Sequence, residues 1–227
     1  TYVLAGDGCL MEGISHEAID LAGHLGLGRL ILMWDDNSIT IDGGTDKSTS
    51  TDQCARFAAA GWQVVAVDGH DREAVANALD AARADQSRPA LIACKTIIGY
   101  GAPNKQGTAA AHGAALGSDE VAATRHALNW PHAAFEIPKD ILSAWRGVGA
   151  RGKAARQAWR QRLDSLTPDA KARFEAAQSG DVPAAVDRAI DEFRQSLIAE
   201  KPKMATRQAS QKTLEVLNRV IPNFAGG

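Results

Sequence analysis

The triplet Gly6-Asp7-Gly8 follows directly on the apolar run Tyr2-Val3-Leu4-Ala5, and Asp35-Asp36-Asn37 begins 28 residues after Asp7 at the end of a second apolar run. A carboxylate and a side-chain amide are hard oxygen donors, the type that Mg²⁺ or Ca²⁺ takes. Glycines beside them let backbone N–H groups come close to a phosphate. Neither motif means much alone, because Gly-Asp-Gly is a common turn and Asn-Ser is ordinary loop chemistry. Their spacing, however, is that of one strand–helix–strand unit, which puts Asp7 and Asn37 at successive strand ends. Mg²⁺ usually keeps water and substrate phosphate in its shell, so Asp7, the Asn37 side chain and a backbone carbonyl near Ile39 suffice as protein ligands. The chemistry implied is a divalent cation holding a diphosphate.

Three further side chains carry a chemical reading beside a plain one. His112 lies in a loop of small residues, Gly107 to Gly113 (GTAAAHG), that can approach a ligand closely. It can donate a hydrogen bond to a phosphate or carry a proton, or it can simply be solvated. Glu12 either faces the same crevice or caps a helix starting near Gly13. Arg207, just before the last helix, either grips a substrate phosphate by paired hydrogen bonds or is a surface arginine. His16, His24, His70, His126 and His132 have no comparable setting, and the five tryptophans read as packing residues.

The elements that must position these groups are legible in the apolar pattern. Residues 1–5 read as a short buried strand. Gly13 to Leu27 reads as a helix with Ile14, Ala18, Leu21, Ala22 and Leu25 on one stripe. Arg29 to Trp34 (RLILMW) is a continuous apolar run, as expected of a parallel strand covered on both faces. Asp35 to Asp52 is too polar and glycine-rich for a core element. Helix, strand, helix and strand are then expected over 52–60, 62–67, 71–84 and 89–96. The fold class predicted is α/β, an open, mainly parallel sheet with helices on both faces, followed by a helical extension. Ligands of such sheets sit beyond the carboxyl ends of the strands. Asp7, Asn37 and the loop after Lys95-Thr96 should therefore converge on one crevice. Beyond about Gly117 the composition shifts to Ala, Arg, Gln, Glu and Lys, and 138–200 reads as several surface helices. Thr167-Pro168 is a helix start, Lys201-Pro202-Lys203 a linker, and Ser210 to Ile221 an amphipathic helix.

Composition excludes several classes of function. Of 227 residues 45% are hydrophobic and 23% charged, the balance of a globular protein, and the net charge is −2. No basic field is available for nucleic acid or an anionic membrane, so neither is expected as a partner. Cys9, Cys54 and Cys94 show no metal or redox spacing; they read as small buried residues in a reducing compartment. No apolar run reaches the roughly 18 residues of a membrane span. The first residues lack the features of a secretory peptide and look like the middle of a strand. Neither a Walker loop nor a dinucleotide glycine fingerprint is present.

The strings from Gly6 to Ala18 (GDGCLMEGISHEA), Asp35 to Gly43 (DDNSITIDG), Cys94 to Lys105 (CKTIIGYGAPNK), Phe135 to Pro138 and Thr206 to Gln211 resemble transketolase. Related thiamine-diphosphate enzymes share the Gly-Asp-Gly and Asn signals but not the Met11 to Glu17 continuation. The resemblance implies a thiamine-diphosphate enzyme of the cytoplasm and the pentose phosphate pathway, moving a two-carbon ketol unit between sugar phosphates as a homodimer. By position, Asp7, Asn37 and the Ile39 carbonyl would hold Mg²⁺ or Ca²⁺. The Gly8 backbone and Asn37 side chain would contact the cofactor diphosphate. His112 would contact that diphosphate and the reacting substrate, Arg207 would bind the sugar phosphate, and Glu12 would belong to a proton path between cofactor sites.

The same resemblance assigns 1–185 to the C-terminal part of the diphosphate-binding domain with its helical extension. It makes 186–205 a linker and 206–227 the start of a pyrimidine-binding domain. The chain departs from the family in lacking an earlier histidine-bearing, glycine-rich segment and the glutamate that activates the aminopyrimidine. Ala115 stands where proline is usual, and Lys47-Ser48-Thr49 replaces a more apolar loop. By itself the chain is therefore expected to be inactive and to expose apolar edges. A dihydroxyacetone synthase-like acceptor preference and a non-catalytic metal–diphosphate module are the alternatives.

Overall fold

Alternate residues of the apolar runs face opposite ways, and this period of two builds a three-layer arrangement. The computed structural model describes residues 1–224; positions 225–227, at the end of the expected third segment, lie outside the described residues. The chain divides into two units, 1–136 and 137–227, and each is described by itself.

In the first unit, β1 (Tyr2–Gly6), β2 (Ile31–Asp36), β6 (Ala90–Lys95) and β5 (Gln63–Asp68) pair in that order, all parallel. On one face Ala5, Leu32, Trp34, Leu91 and Ala93 pack with Leu10 of α1 (Asp7–Met11), Ile19 and Ala22 of α2 (Gly13–His24) and Phe57 of α3 (Gln53–Ala59). On the other, Ile31, Ala90, Ile92 and Cys94 pack with Ala78 and Ala82 of α4 (Arg72–Ala84). The expected open parallel sheet with helices on both faces is thus observed. The central strand β6 has five of its six residues buried. That is why its sequence reads as an unbroken apolar run.

Local chemistry fixes the helix starts. The Asp71 carboxylate accepts from the N–H groups of Glu73 and Ala74 at the head of α4 (2.9 and 3.1 Å). Asp71→Ala should cost about 1 kcal/mol of stability, read as a shift in the denaturation midpoint with unchanged slope. Gly23 of α2 lies against the turn after α3, where a Cβ would stand 1.8 Å from the Ala60 carbonyl oxygen. Trp62 closes the same contact by donating from Nε1 to the Ile19 carbonyl (2.9 Å).

Several expectations need correction. Asp7–Met11 is helical rather than a plain glycine turn, because Leu10 is driven into the core. The 35–52 stretch contains a small antiparallel hairpin, β3 (Ile39–Thr40) with β4 (Gly43–Gly44), followed by a 3₁₀ turn at Thr45–Lys47. The buried stripe of α2 is Ile19 and Ala22. Ile14 is 74% exposed, and Leu21 and Leu25 are also exposed. The helix carries two apolar stripes and the sheet covers one. Residues 1–5, expected as a buried strand, are largely exposed: β1 lies at the sheet edge, paired on one side alone, so Leu4 is 81% exposed and Ala5 is buried. Cys9 is exposed, whereas Cys94 is buried. After β6 a looped segment with a 3₁₀ turn at Ala109–Ala111 leads to α5 (Ser118–Ala127).

The second unit consists of α6 (Lys139–Asp164), α7 (Pro168–Ser179), α8 (Ala185–Glu200) and α9 (Thr206–Val220). Thr167 caps α7 as the sequence suggests, accepting from the Ala170 N–H (3.3 Å). Most of the 186–205 stretch expected as a linker is the helix α8, which packs against α9. Its apolar positions, spaced for one helical face, need that cover. Only 201–205 is irregular. α9 begins at Thr206, four residues before its expected start. Trp145 of α6, expected as a packing residue, is exposed. No helix among the described residues is long and apolar enough to cross a membrane.

Candidate functional site

The parallel register places Gly6 beside Asp35, Asp35 beside Cys94 and Asp36 beside Lys95. Three adjacent strands therefore end together, and the loops that follow β1, β2 and β6 meet as expected. Asp7 sits at the tip of β1, 8% exposed. Its Oδ2 accepts from the backbone N–H groups of Ser38 (2.9 Å) and Asn37 (3.3 Å). This locks the turn after β2 onto the end of β1. Ser38 takes φ +63, a left-handed conformation uncommon outside glycine, asparagine and aspartate. Such a conformation persists where its surroundings over-determine it.

Burial first, and then the neighbouring Asp36 carboxylate, push the Asp7 carboxyl above its ordinary pKa, while the two backbone N–H groups pull the other way. A buried carboxylate beside a second carboxylate is an environment that a cation relieves. The Asn37 amide is oriented on both sides: Nδ2 donates to Asp35 Oδ2 (3.3 Å), and Oδ1 accepts from the Ile39 N–H (3.0 Å). That oxygen has a second lone pair free for a ligand. Among the described residues no group of three or more His, Cys, Asp or Glu can hold a metal. A cation here would rest on a mixed oxygen set of Asp7, Asn37 and the Ile39 carbonyl, which suits Mg²⁺ or Ca²⁺ and does not suit a softer metal.

Space for a ligand exists on the same edge. A cavity of about 570 Å³ is lined by Gly6, Asp35, Gly69, Cys94, Thr96 and Ile98, among others. A smaller one, about 220 Å³, is lined by Asp7, Asp36, Trp34 and Gln53 with residues of the 45–51 loop. The Trp34 indole N–H and the Gln53 amide oxygen are buried there without a protein partner. A Cβ built on Gly8 meets nothing within 4 Å. Packing within the chain therefore does not demand glycine at that position, and the open space beside its backbone fits an approaching diphosphate.

The remaining sequence candidates are placed as follows. Glu12 is extended and exposed at the N-cap position of α2, as the capping alternative has it, and its side chain makes no capping hydrogen bond. His112 is exposed just after the 3₁₀ turn. Its loop is pinned at the base by the Gly107 N–H on the Ile98 carbonyl (2.8 Å) and by Lys105 Nζ on the Leu116 carbonyl (2.9 Å). Arg207 belongs to the second unit, in the first turn of α9, and is exposed.

Reasoning from residue types missed Lys95 and Thr96 as site residues. Thr96 Oγ1 donates to Asp35 Oδ1, and Lys95 Nζ donates to Asp36 Oδ1 (3.1 Å) and Ser38 Oγ (2.8 Å). The only signal was their position at the end of an apolar run, and its meaning depends on which strand pairs with which.

Comparison with known proteins agrees with this architecture. A family profile described as "Transketolase, thiamine diphosphate binding domain" matches residues 1–183. A transketolase of Cereibacter sphaeroides is 57% identical over the whole chain, which corresponds to 34% of that protein. The solved transketolase of Leishmania mexicana superposes with a TM-score of 0.80 at 34% identity, over 98% of this chain and 33% of that one. A Pichia stipitis transketolase in complex with sedoheptulose-7-phosphate gives 0.74 at 36% identity, over 83% of this chain and 29% of that one. The chain spans about a third of the length of the curated relatives it matches. With strand ends and profile in agreement, the chain belongs to the transketolase family and matches its thiamine diphosphate-binding domain over residues 1–183.

Proposed function

We propose that the chain is the diphosphate-holding portion of a transketolase. The intact enzyme would transfer a two-carbon ketol unit from a ketose phosphate to an aldose phosphate, as a cytoplasmic homodimer serving the pentose phosphate pathway. The observation that carries this reading is the turn after β2, bound by its backbone to the buried Asp7 carboxylate. Thiamine diphosphate supplies the carbanion chemistry when bound.

The chain's own residues hold and orient that cofactor. Asp7, the Asn37 amide oxygen and the Ile39 carbonyl grip Mg²⁺ or Ca²⁺. Gly8 presents backbone to the diphosphate, and Asn37 adds a side-chain contact. His112, exposed on a pinned loop, donates to the diphosphate and handles a proton at the substrate. Glu12, exposed at the head of α2, serves the proton path between cofactor sites. Arg207 takes the sugar phosphate; the sugar phosphate held by the Pichia stipitis relative supports that substrate class. Residues 1–185 form the C-terminal part of the diphosphate-binding domain, 186–205 the connection, helical up to 200, and 206–227 the opening of a pyrimidine-binding domain.

A coupled ketol-transfer assay tests this. The full-length protein should turn over ketose phosphate in the presence of thiamine diphosphate and Mg²⁺, whereas the 227-residue chain alone should not. Arg207→Ala in the full-length protein should raise KM for the sugar phosphate by about tenfold or more, the loss of one charge-assisted pair, with cofactor affinity unchanged. Turnover by the short chain, or an unaltered KM, would overturn the respective assignment.

A further inference from the structure

Resting on that reading of the metal site, we infer that Lys95 and Thr96, the last residue of β6 and the one after it, form a positioning pair that sets the cation-binding geometry of the β2 turn without touching the cation. The turn Asp35-Asp36-Asn37-Ser38 is held from two sides. On the β1 side Asp7 accepts the Asn37 and Ser38 N–H groups. On the β6 side Thr96 donates from Oγ1 to Asp35 and from its backbone N–H to the Asp36 carbonyl (3.0 Å), while Lys95 spans Asp36 and Ser38. The pair thus contacts Asp35, Asp36 and Ser38, the three turn residues that are not proposed ligands.

Each contact has a consequence for Asn37 or Ser38. A side-chain amide presents an oxygen on one side and two N–H donors on the other, and only the oxygen suits a cation. Asp35, an acceptor when ionised, faces Asn37 Nδ2 and thereby keeps Oδ1 on the opposite side. The Thr96 hydroxyl occupies the other Asp35 oxygen and fixes the carboxylate's rotation. Without that hydroxyl the carboxylate is free to turn, and the amide can flip its N–H groups toward the metal. Lys95 acts on the backbone instead. Ser38 occupies the left-handed region at φ +63, and the ammonium tethers its side chain while pairing with the Asp36 carboxylate. Groups that orient metal ligands from outside the coordination shell typically contribute about 10–100-fold to metal affinity.

The pair should also govern which cation is preferred. Mg²⁺ demands near-ideal octahedral geometry, whereas Ca²⁺ accepts flexible coordination. A loosened Asn37 should therefore cost Mg²⁺ more than Ca²⁺. A general loss of folding would weaken both alike.

The test is a titration of Mg²⁺ and of Ca²⁺ into the full-length protein at fixed thiamine diphosphate, followed by tryptophan fluorescence, with Trp34 beside Asp35 as the reporter. Thr96→Val should lower Mg²⁺ affinity about tenfold or more and Ca²⁺ affinity clearly less. Thr96→Ser should restore the wild-type ratio, and Lys95→Met should weaken both cations with an unshifted thermal transition. Wild-type Mg²⁺ affinity in Thr96→Val and Lys95→Met, or equal losses for the two cations that Thr96→Ser does not rescue, would overturn the inference. Asp7→Ala separates the two levels. If Asp7→Ala alone loses binding, the metal site stands and the positioning pair falls; if Asp7→Ala binds normally, the metal site itself falls.

Discussion

Replacing Asp7 with alanine is expected to abolish metal-dependent binding of thiamine diphosphate, a loss of more than about a hundredfold. Outer-shell partners of metal ligands already contribute 10–100-fold, and Asp7 is the one carboxylate in the proposed ligand set. The substitution also removes the acceptor for two backbone N–H groups of the β2 turn, so Asn37 loses its place as well. Asp7→Asn separates the two roles. An asparagine oxygen can still accept from Asn37 and Ser38, but the charge is gone.

The stability of the metal-free protein should then respond to pH in a defined direction. Burial and Asp36 raise the Asp7 carboxyl above its ordinary value of 3.8, so the folded state holds this proton more tightly than the unfolded chain. Stability from this group is therefore fullest below pH 3.8 and is lost as pH rises through the raised folded value. Asp7→Asn should remove that loss and leave the metal-free protein more stable than wild type at neutral pH, while Mg²⁺ should no longer stabilise it. Thermal unfolding with and without chelator, across acid to neutral pH, reads both effects. A metal-free Asn variant less stable than wild type at neutral pH would contradict this account of Asp7.

Phe57→Ala should give the largest loss of stability, about 3–5 kcal/mol. Phe57 is fully enclosed and meets the Trp62 ring edge-on at 4.9 Å between centroids. It belongs to the cluster that also contains Leu10 of α1 and Trp34 of β2, and Trp34 lines the same cavity as Asp7. A cavity there loosens the floor of the site as well as the core. Phe57→Leu fills most of the space and should lose less than half as much. Chemical denaturation of both variants checks the order, and near-wild-type stability of Phe57→Ala would show that the α3 face is not closed by this ring.

The strands were legible because parallel strands covered on both faces must be apolar throughout, and RLILMW and ALIAC satisfy that without ambiguity. The helix expected over 71–84 is observed as α4, with the Asp71 carboxylate capping its first turn. Where the sequence misled, packing had overridden local preference. Gly6-Asp7-Gly8 argues for a turn, yet Leu10 pulls Asp7–Met11 into a helix against the core. In α2, Leu21 and Leu25 compete with Ile19 and Ala22 for the buried face, and periodicity alone cannot choose between two stripes. The pairing of Asp7 with Asn37 was visible because successive strand ends carry both. The grip of Lys95 and Thr96 on the same turn was not, since it spans nearly sixty residues of sequence and exists only because β6 pairs with β2.

The central claim is that an ion bridges the first two strand ends to the cofactor. Anomalous diffraction from crystals of the full-length protein grown with thiamine diphosphate and Ca²⁺ addresses it directly. The account predicts one peak within about 2.3–2.6 Å of an Asp7 carboxylate oxygen, Asn37 Oδ1 and the Ile39 carbonyl oxygen, with diphosphate oxygens completing the shell. A peak elsewhere, or a diphosphate bound with these three oxygens left unliganded, would contradict it.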